Sequence, residues 1–178
     1  MNWIKLEQLL LKALPARAIC AAPALDHAQL CEQALSVAAG LQAQGVKRLA
    51  VHLEDAADLA IALLGAWRAG VSVLLPSDLQ PQTRQRWSSE VDLWLTDHAE
   101  DAHLTDFQQP ALPAAALDLD QCQLSLCTSG SSGEPKRIDK TLRQLANEVE
   151  ALEQLWGADL AEACIIGSVA TQHIYGLL

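Results

Sequence analysis

Three short apolar runs, RLAVHL (Arg48–Leu53), VSVLLP (Val71–Pro76) and VDLWLT (Val91–Thr96), are separated by stretches patterned for helices. This alternation constrains the fold more than any other feature of the chain. Strands that are apolar along their whole length are buried on both faces, and parallel strands joined through helices are buried in that way. Between the first two runs, EDAADLAIALLGAWRAG (Glu54–Gly70) opens with acids at the positive end of a helix and closes with Arg68 and Gly70,. QPQTRQRWSS has helical character before the third run. The expected fold class is α/β: an open, mostly parallel sheet with helices on both faces.

The flanking sequence extends this pattern. MNWIKLEQLLLKAL places Trp3, Leu6, Leu10 and Ala13 at helical spacing and predicts an amphipathic helix,. Glu7 and Lys12 interrupt its apolar residues, which argues against a secretory signal,. After a Pro/Ala stretch, DHAQLCEQALSVAAGLQAQG predicts a second helix with Asp26 as N-cap, Leu30, Ala34, Val37 and Leu41 on its apolar face and Gly45 at its exit,. Asp97–Asp120 reads as a loop containing Pro110 and Pro113. It is long for a loop within a compact domain, so it is a candidate subdomain connection. QCQLSLC (Gln121–Cys127) predicts another strand, and TLRQLANEVEALEQLWG a helix with Leu142, Leu145, Val149, Leu152 and Trp156 in one stripe and Gly157 at its end,. ACIIGSVA predicts a last strand.

Composition narrows the function classes. At 178 residues and 51% hydrophobic content, the chain is of globular type and about one domain in size,. A net charge of −10 argues against nucleic acid and anionic lipid as partners,. It does not exclude a nucleotide, because a phosphate pocket needs only local donors. No run reaches the length of a membrane span. The five cysteines, at 20, 31, 122, 127 and 164, form no CxxC pair and read as reduced thiols of a cytoplasmic protein,. His98 and His103 lie near Asp97 and Asp101 without the spacing of a known metal site, so no metal site is expected there,.

TSGSSGEPK (Thr128–Lys136) directly follows the apolar run at Gln121–Cys127. Gly130 and Gly133 allow the backbone N–H groups of such a loop to converge on an anion. The hydroxyls of Thr128, Ser129, Ser131 and Ser132 add neutral donors, and Lys136 adds a mobile positive charge. Composition alone favours a Ser/Gly surface turn. The order strand, hydroxyls, Gly, hydroxyls, Gly, Pro and Lys favours a polyphosphate site instead. A Walker A loop is excluded, since no GK pair exists and Arg137–Lys140 intervenes before the next helix,.

CTSGSSGEPKR resembles the phosphate-binding loop of the AMP-forming adenylating enzymes, whose usual form is close to YTSGTTGKPKG. These comprise acyl- and aryl-CoA synthetases, luciferases and peptide-synthetase adenylation domains. Val51–Asp78 resembles the family's early strand-helix-strand, and TQHIYGLL (Thr171–Leu178) the segment that lines the acyl pocket. The resemblance covers most of Asp26 to Leu178. It implies that Thr128, Ser129, Gly130, Ser131, Ser132, Gly133 and Lys136 hold the β- and γ-phosphates of ATP, with Mg2+, while a substrate carboxylate attacks the α-phosphorus. It places His173, Tyr175 and Gly176 at the acyl or aryl group; a capping histidine and a core tyrosine are the structural alternatives.

Three departures from the family pattern stand out. Arg137 replaces the usual glycine and either adds a second cation near the phosphates or pairs with Glu134. Cys127 replaces a common aromatic and is expected to be buried and inert. Glu134 must point away from phosphate. EPKR together with HIYGLL is similar to the synthetase-like proteins of bacterial aryl-polyene pigment clusters, which implies an aromatic acid.

The family's later acidic motif, ribose-binding aspartate, hinge and catalytic lysine have no counterpart in this sequence. The resemblance therefore implies that residues 1–178 are an incomplete N-terminal domain with no complete catalytic set. Such a piece would form no acyl-adenylate alone, bind ATP or pyrophosphate at most weakly, and self-associate through uncovered apolar surface. Its parent would join a carboxylic acid, aromatic or fatty, to CoA or an acyl carrier protein. The alternative is a non-catalytic α/β interaction module that retains the loop as a relic.

Overall fold

A computed structural model of the chain describes residues 3–14, 17–22, 24–121, 123–128 and 136–160. The predicted strand ACIIGSVA lies outside the described residues. A small antiparallel hairpin, β1 (Ala18–Ala21) and β2 (Ala24–Asp26), precedes the main unit. That unit runs α1 (His27–Ala43), β3 (Arg48–His52), α2 (Ala56–Ala69), β4 (Ser72–Leu75), α3 (Pro81–Trp87), β5 (Leu93–Thr96), β6 (Gln123–Thr128), β7 (Lys136–Thr141) and α4 (Leu142–Leu160). The strands form one sheet in the order β5-β3-β4-β6-β7. All neighbours in it are parallel except β6 and β7. The α/β expectation therefore holds.

Alternation along the strands divides the core. Leu49, Val51, Val73, Leu75, Leu95, Leu124 and Leu126 face the cluster formed with α1 and α2. Ala50, Leu74 and Cys127 face the opposite side, where Trp87 of α3 and Val91 cover them. The predicted caps of the first two helices are present. Asp26 accepts from the Gln29 N–H at 2.8 Å while Gln29 accepts from the Asp26 N–H at 2.9 Å, a reciprocal capping box,. Asp55 caps α2, and Gly70 ends it at φ +74,.

Three elements differ from expectation. The N-terminal amphipathic helix is reduced to one short 3-10 turn, Leu6–Gln8. Isolated short helices are marginal, and tertiary contacts hold this segment instead. Leu10 is fully buried, and the Leu117 N–H donates to the Glu7 carbonyl at 3.0 Å. The Pro/Ala stretch contains the β1–β2 hairpin, whose alanine-rich strands carry no apolar alternation in sequence. Gly157 does not end α4, which continues to Leu160. A glycine inside a helix costs about 1 kcal/mol relative to alanine and does not forbid the helix. Only Leu142 and Leu145 of the predicted α4 stripe are buried, and Trp156 is exposed.

Residues 97–120 form a packed strap. Ala102 bridges to β5 beside Leu95, and a 3-10 turn at Leu104–Phe107 follows. The strap then crosses α1. The Ser36 hydroxyl donates to the Gln109 carbonyl at 2.7 Å, and the Leu112 N–H donates to the Leu35 carbonyl at 3.2 Å. Phe107 and Leu117 enter the core from this segment.

Candidate functional site

β6 runs parallel to β4, so its carboxyl end opens on the same edge of the sheet as the carboxyl ends of β3, β4 and β5. The chain leaves β6 at that edge and returns antiparallel as β7. Thr128 pairs with Lys136 as the last pair of the ladder. The stretch singled out by sequence therefore connects the two strands of a hairpin. Ser129, Gly130, Ser131, Ser132 and Gly133 lie outside the described residues, as do His173, Tyr175 and Gly176. The structure thus places the backbone of Thr128 and Lys136 on opposite sides of the hairpin mouth. β7 starts at Lys136, so the element that follows the loop is a strand and not a helix. This agrees with the rejection of a Walker A loop.

The hairpin's two faces differ in chemistry. Leu124 and Leu126 point into the main core, whereas Ser125 and Cys127 lie on the α3 side. Their register partners on β7 are Asp139 and Arg137. The Ser125 hydroxyl donates to Asp139 Oδ1 at 2.6 Å, and Arg137 Nε donates to the same oxygen at 2.6 Å. Arg137 also pairs with the Glu90 carboxylate. Glu90 belongs to the turn between α3 and β5, where its N–H donates to the Trp87 carbonyl at 2.8 Å. Arg137 is therefore bound to Glu90 and Asp139. The Ser125 hydroxyl and the Arg137 guanidinium hold the Asp139 carboxyl below the usual carboxylate range.

Cys127 is 2% exposed, and burial pushes its thiol up to about 11. The expectation of an inert, buried cysteine holds. Neither Glu90 nor Asp139 was singled out from sequence. The signal for them was slight: Arg137 and Asp139 are opposite charges two residues apart, which share a face once that stretch is a strand.

Elsewhere on the carboxyl edge, polar side chains fasten the strand ends. Asp78 accepts from the Thr83 hydroxyl at 2.5 Å and from the Gln80 N–H at 3.0 Å, and these bonds hold its carboxyl low. Asp97 accepts from the Glu54 N–H at 2.8 Å. Asp101 receives the Arg84 guanidinium and the Thr96 hydroxyl, the latter at 2.6 Å. Arg84 also lies over the Trp94 ring at 4.8 Å,. His52 is half-buried at the end of β3; burial lowers its pKa, opposed by Asp97 and Asp78. Among the described residues, no three His, Cys, Asp or Glu side chains converge as a metal site would require. None of the described helices is long and apolar enough to cross a membrane.

No protein-family model matches the chain. Pyochelin synthetase PchF of Pseudomonas aeruginosa is 26% identical over 156 residues, which covers 78% of this chain and 9% of that protein. The crystal structure of ATP-bound MatB from Rhodopseudomonas palustris superposes with a TM-score of 0.77 at 19% identity, covering 98% of this chain and 42% of that one. O-succinylbenzoate CoA synthetase (MenE) from Bacillus subtilis, in complex with its acyl-adenylate intermediate, superposes with a TM-score of 0.69 at 19% identity, covering 86% and 36%. The chain thus spans less than half the length of each of these proteins. It shares the fold of the parts of MatB and MenE on which it superposes, an α/β fold as the sequence reading expected.

Proposed function

We propose that this chain is the N-terminal part of an ATP-dependent, AMP-forming ligase that activates an acyl or aryl acid as its adenylate. CoA or a carrier-protein thiol would then take the acyl group. The observation that carries the reading is TSGSSGEPK on a β-hairpin at the carboxyl edge of a mostly parallel sheet. The fold shared with MatB and MenE supports it.

On this reading, Thr128, Ser129, Gly130, Ser131, Ser132, Gly133 and Lys136 hold the β- and γ-phosphates. As the carboxylate attacks the α-phosphorus, negative charge grows on the departing pyrophosphate, and donors already aimed there lower the barrier. The donor set fits that task, with N–H groups, hydroxyls and one lysine within nine consecutive residues. Mg2+ would supply further neutralisation of the phosphate charge. His173, Tyr175 and Gly176 would line the acid's pocket, with an aromatic acid favoured. Residues 1–178 would form an incomplete N-terminal domain, inactive alone, with 97–120 as a connection between subdomains.

Self-association of the chain belongs to the same proposal. Leu155, Trp156 and Leu160 on α4 are 68, 51 and 45% exposed, so this end of the helix offers apolar surface to a second copy,. Sedimentation at increasing concentration tests it, and a monomer throughout refutes it.

The main test is carboxylate-dependent exchange of pyrophosphate into ATP by the protein as its own cells make it, with aryl acids tried before fatty acids. Intact mass measured on the same preparation shows whether that protein exceeds 178 residues. Lys136→Ala should slow exchange by about 10²-fold or more, the usual loss for one donor to a developing charge. An unchanged rate would remove Lys136 from the site.

A further inference from the structure

We infer that Arg137 is a positioning residue, not a phosphate ligand: its ion pair with Glu90 pins the far strand of the β6–β7 hairpin to the turn that follows α3. The inference rests on the reading of the loop as a phosphate site.

Three observations support it. First, successive strand residues point to opposite faces. Lys136 and Arg137 therefore leave β7 on opposite sides, and a polyphosphate gripped by Lys136 lies across the strand from Arg137. Second, the guanidinium is already placed between two carboxylates, Glu90 and Asp139. A phosphate approaching it would meet both acids. Third, the network reaches through the hairpin into its neighbours. Asp139 takes the Ser125 hydroxyl from β6, and Glu90 is tied to the Trp87 carbonyl at the end of α3. Trp87 in turn packs against Cys127, the residue opposite Arg137 in the ladder. Arg137 thus links both strands of the hairpin to the element covering that face of the sheet, one residue from the loop.

Among the described residues, β7 ends the sheet and is paired by β6 alone. A strand hydrogen-bonded on one side has fewer contacts to fix its twist than an inner one. The Glu90 pair supplies one at the point where orientation of the loop depends on it. The side chains of Arg137 and Glu90 are 40% and 43% exposed, so the pair belongs among surface ion pairs and its effect is correspondingly modest,.

The experiment uses the whole chain and two readouts: hydrogen exchange of the β7 amides, and titration with magnesium pyrophosphate. The variants are Glu90→Gln, Arg137→Gln, both together, and Arg137→Lys. Expected is a rise of about two- to five-fold in β7 exchange for either single variant. The double variant should match Arg137→Gln and show no further rise, because Arg137→Gln already breaks the Glu90 pair along with the one to Asp139,. Pyrophosphate affinity should fall in all three, with Arg137→Lys recovering part of the loss. If Glu90→Gln leaves β7 exchange unchanged, the inference is wrong. It is equally wrong if Arg137→Gln weakens pyrophosphate binding while Glu90→Gln does not, since Arg137 would then be touching phosphate. If the unaltered chain binds no pyrophosphate while Lys136→Ala leaves exchange in the complete protein intact, the loop reading fails, and β7 exchange alone decides on the ion pair.

Discussion

Gly40→Ala puts two well-known effects in opposition at one position. Gly40 sits inside α1, where alanine is favoured over glycine by about 1 kcal/mol,. A Cβ there would lie 2.3 Å from the Phe107 carbonyl oxygen and 2.6 Å from the Phe107 Cα. Both are backbone atoms, so no rotamer change relieves the clash. Ordinary contact begins near 3.4 Å, and the strap must therefore retreat by roughly 1 Å,. A gap of that size forfeits a quarter to a half of a dispersion contact. Phe107 is fully buried, and complete loss of such a side chain costs about 3–5 kcal/mol, so partial loss costs about 1–2 kcal/mol,. The bonds joining Ser36 to Gln109 and Leu35 to Leu112 also stretch, at about 1 kcal/mol each if lost,. After the helix gain, the net expectation is a destabilisation of about 1–3 kcal/mol.

The assay is urea unfolding followed by circular dichroism, with Gly157→Ala as comparator. At Gly157 the added Cβ would meet the Glu153 carboxylate at 2.3–2.5 Å, the far end of a flexible side chain that can swing away. Gly157→Ala should therefore be neutral or stabilising, by up to about 1 kcal/mol. Gly40→Ala should lower the urea midpoint by roughly 1 M, given slopes of about 1–3 kcal/mol per M. If both variants raise the midpoint together, the strap is not seated on α1 and the packing argument fails.

Three further outcomes follow from buried polar groups. His27 is 1% exposed, and its Nδ1 accepts from the Leu14 N–H at 3.1 Å, so burial and then Arg17 lower its pKa. The unfolded chain binds the proton more readily. The contribution of His27 is therefore full above the unfolded value of about 6.5 and lost as pH falls from there through the folded value. The difference in urea midpoint between pH 7.5 and 5.5 should shrink in His27→Asn, which keeps an acceptor without a titration in this range; an unaltered difference refutes the assignment. Cys31 and Cys127 have thiols raised by burial, so alkylation at pH 8 followed by mass spectrometry should leave both unmodified until urea is added,. Rapid labelling of Cys127 in the folded chain would overturn its placement. Asp101→Ala removes the acceptor for Arg84 and Thr96 and should cost about 2–3 kcal/mol in unfolding measurements, whereas a change within 0.5 kcal/mol would mean that the network is not formed,.

The parallel sheet was legible because its strands are buried on both faces and their sequences show it: Leu49, Val51, Val73 and Leu75 fill one side, Ala50 and Leu74 the other,. Helix limits were legible where a cap chemistry existed, at Asp26 and Gly70. The N-terminal segment was not, because Trp3, Leu6 and Leu10 have helical spacing while only Leu10 is fully buried, and non-local contacts outweigh periodicity there,. The strap was hidden for a similar reason. Its fixing contacts are hydrogen bonds to α1 and the Phe107 backbone against Gly40, none of which leaves a periodic trace. At the candidate site, the loop stands out in sequence by local composition and order, and residues 129–135 lie outside the described residues. Glu90 was not legible, since its link to Arg137 spans 47 residues and depends on strand register.

Hairpin support for an anion loop has a physical consequence. A phosphate loop that runs into a helix borrows positive potential from the aligned peptide dipoles of that helix. A strand offers almost none, because its peptide dipoles alternate. Here β7 follows the loop, so on the proposed reading the attraction would come from the loop's N–H groups and from Lys136, in a chain of net charge −10. The nearby carboxylates then matter as much as the donors. Asp78, Asp97 and Asp101 each accept bonds from neighbouring hydroxyl, N–H or guanidinium groups, and Asp139 and Glu90 are bound to Arg137. Arg137 thus offsets acids on the α3 side of the hairpin. Replacing Arg137 by the glycine usual in the family would remove that offset, with Glu90 and Asp139 left beside the hairpin. Compensation at those two positions is what such a substitution would require.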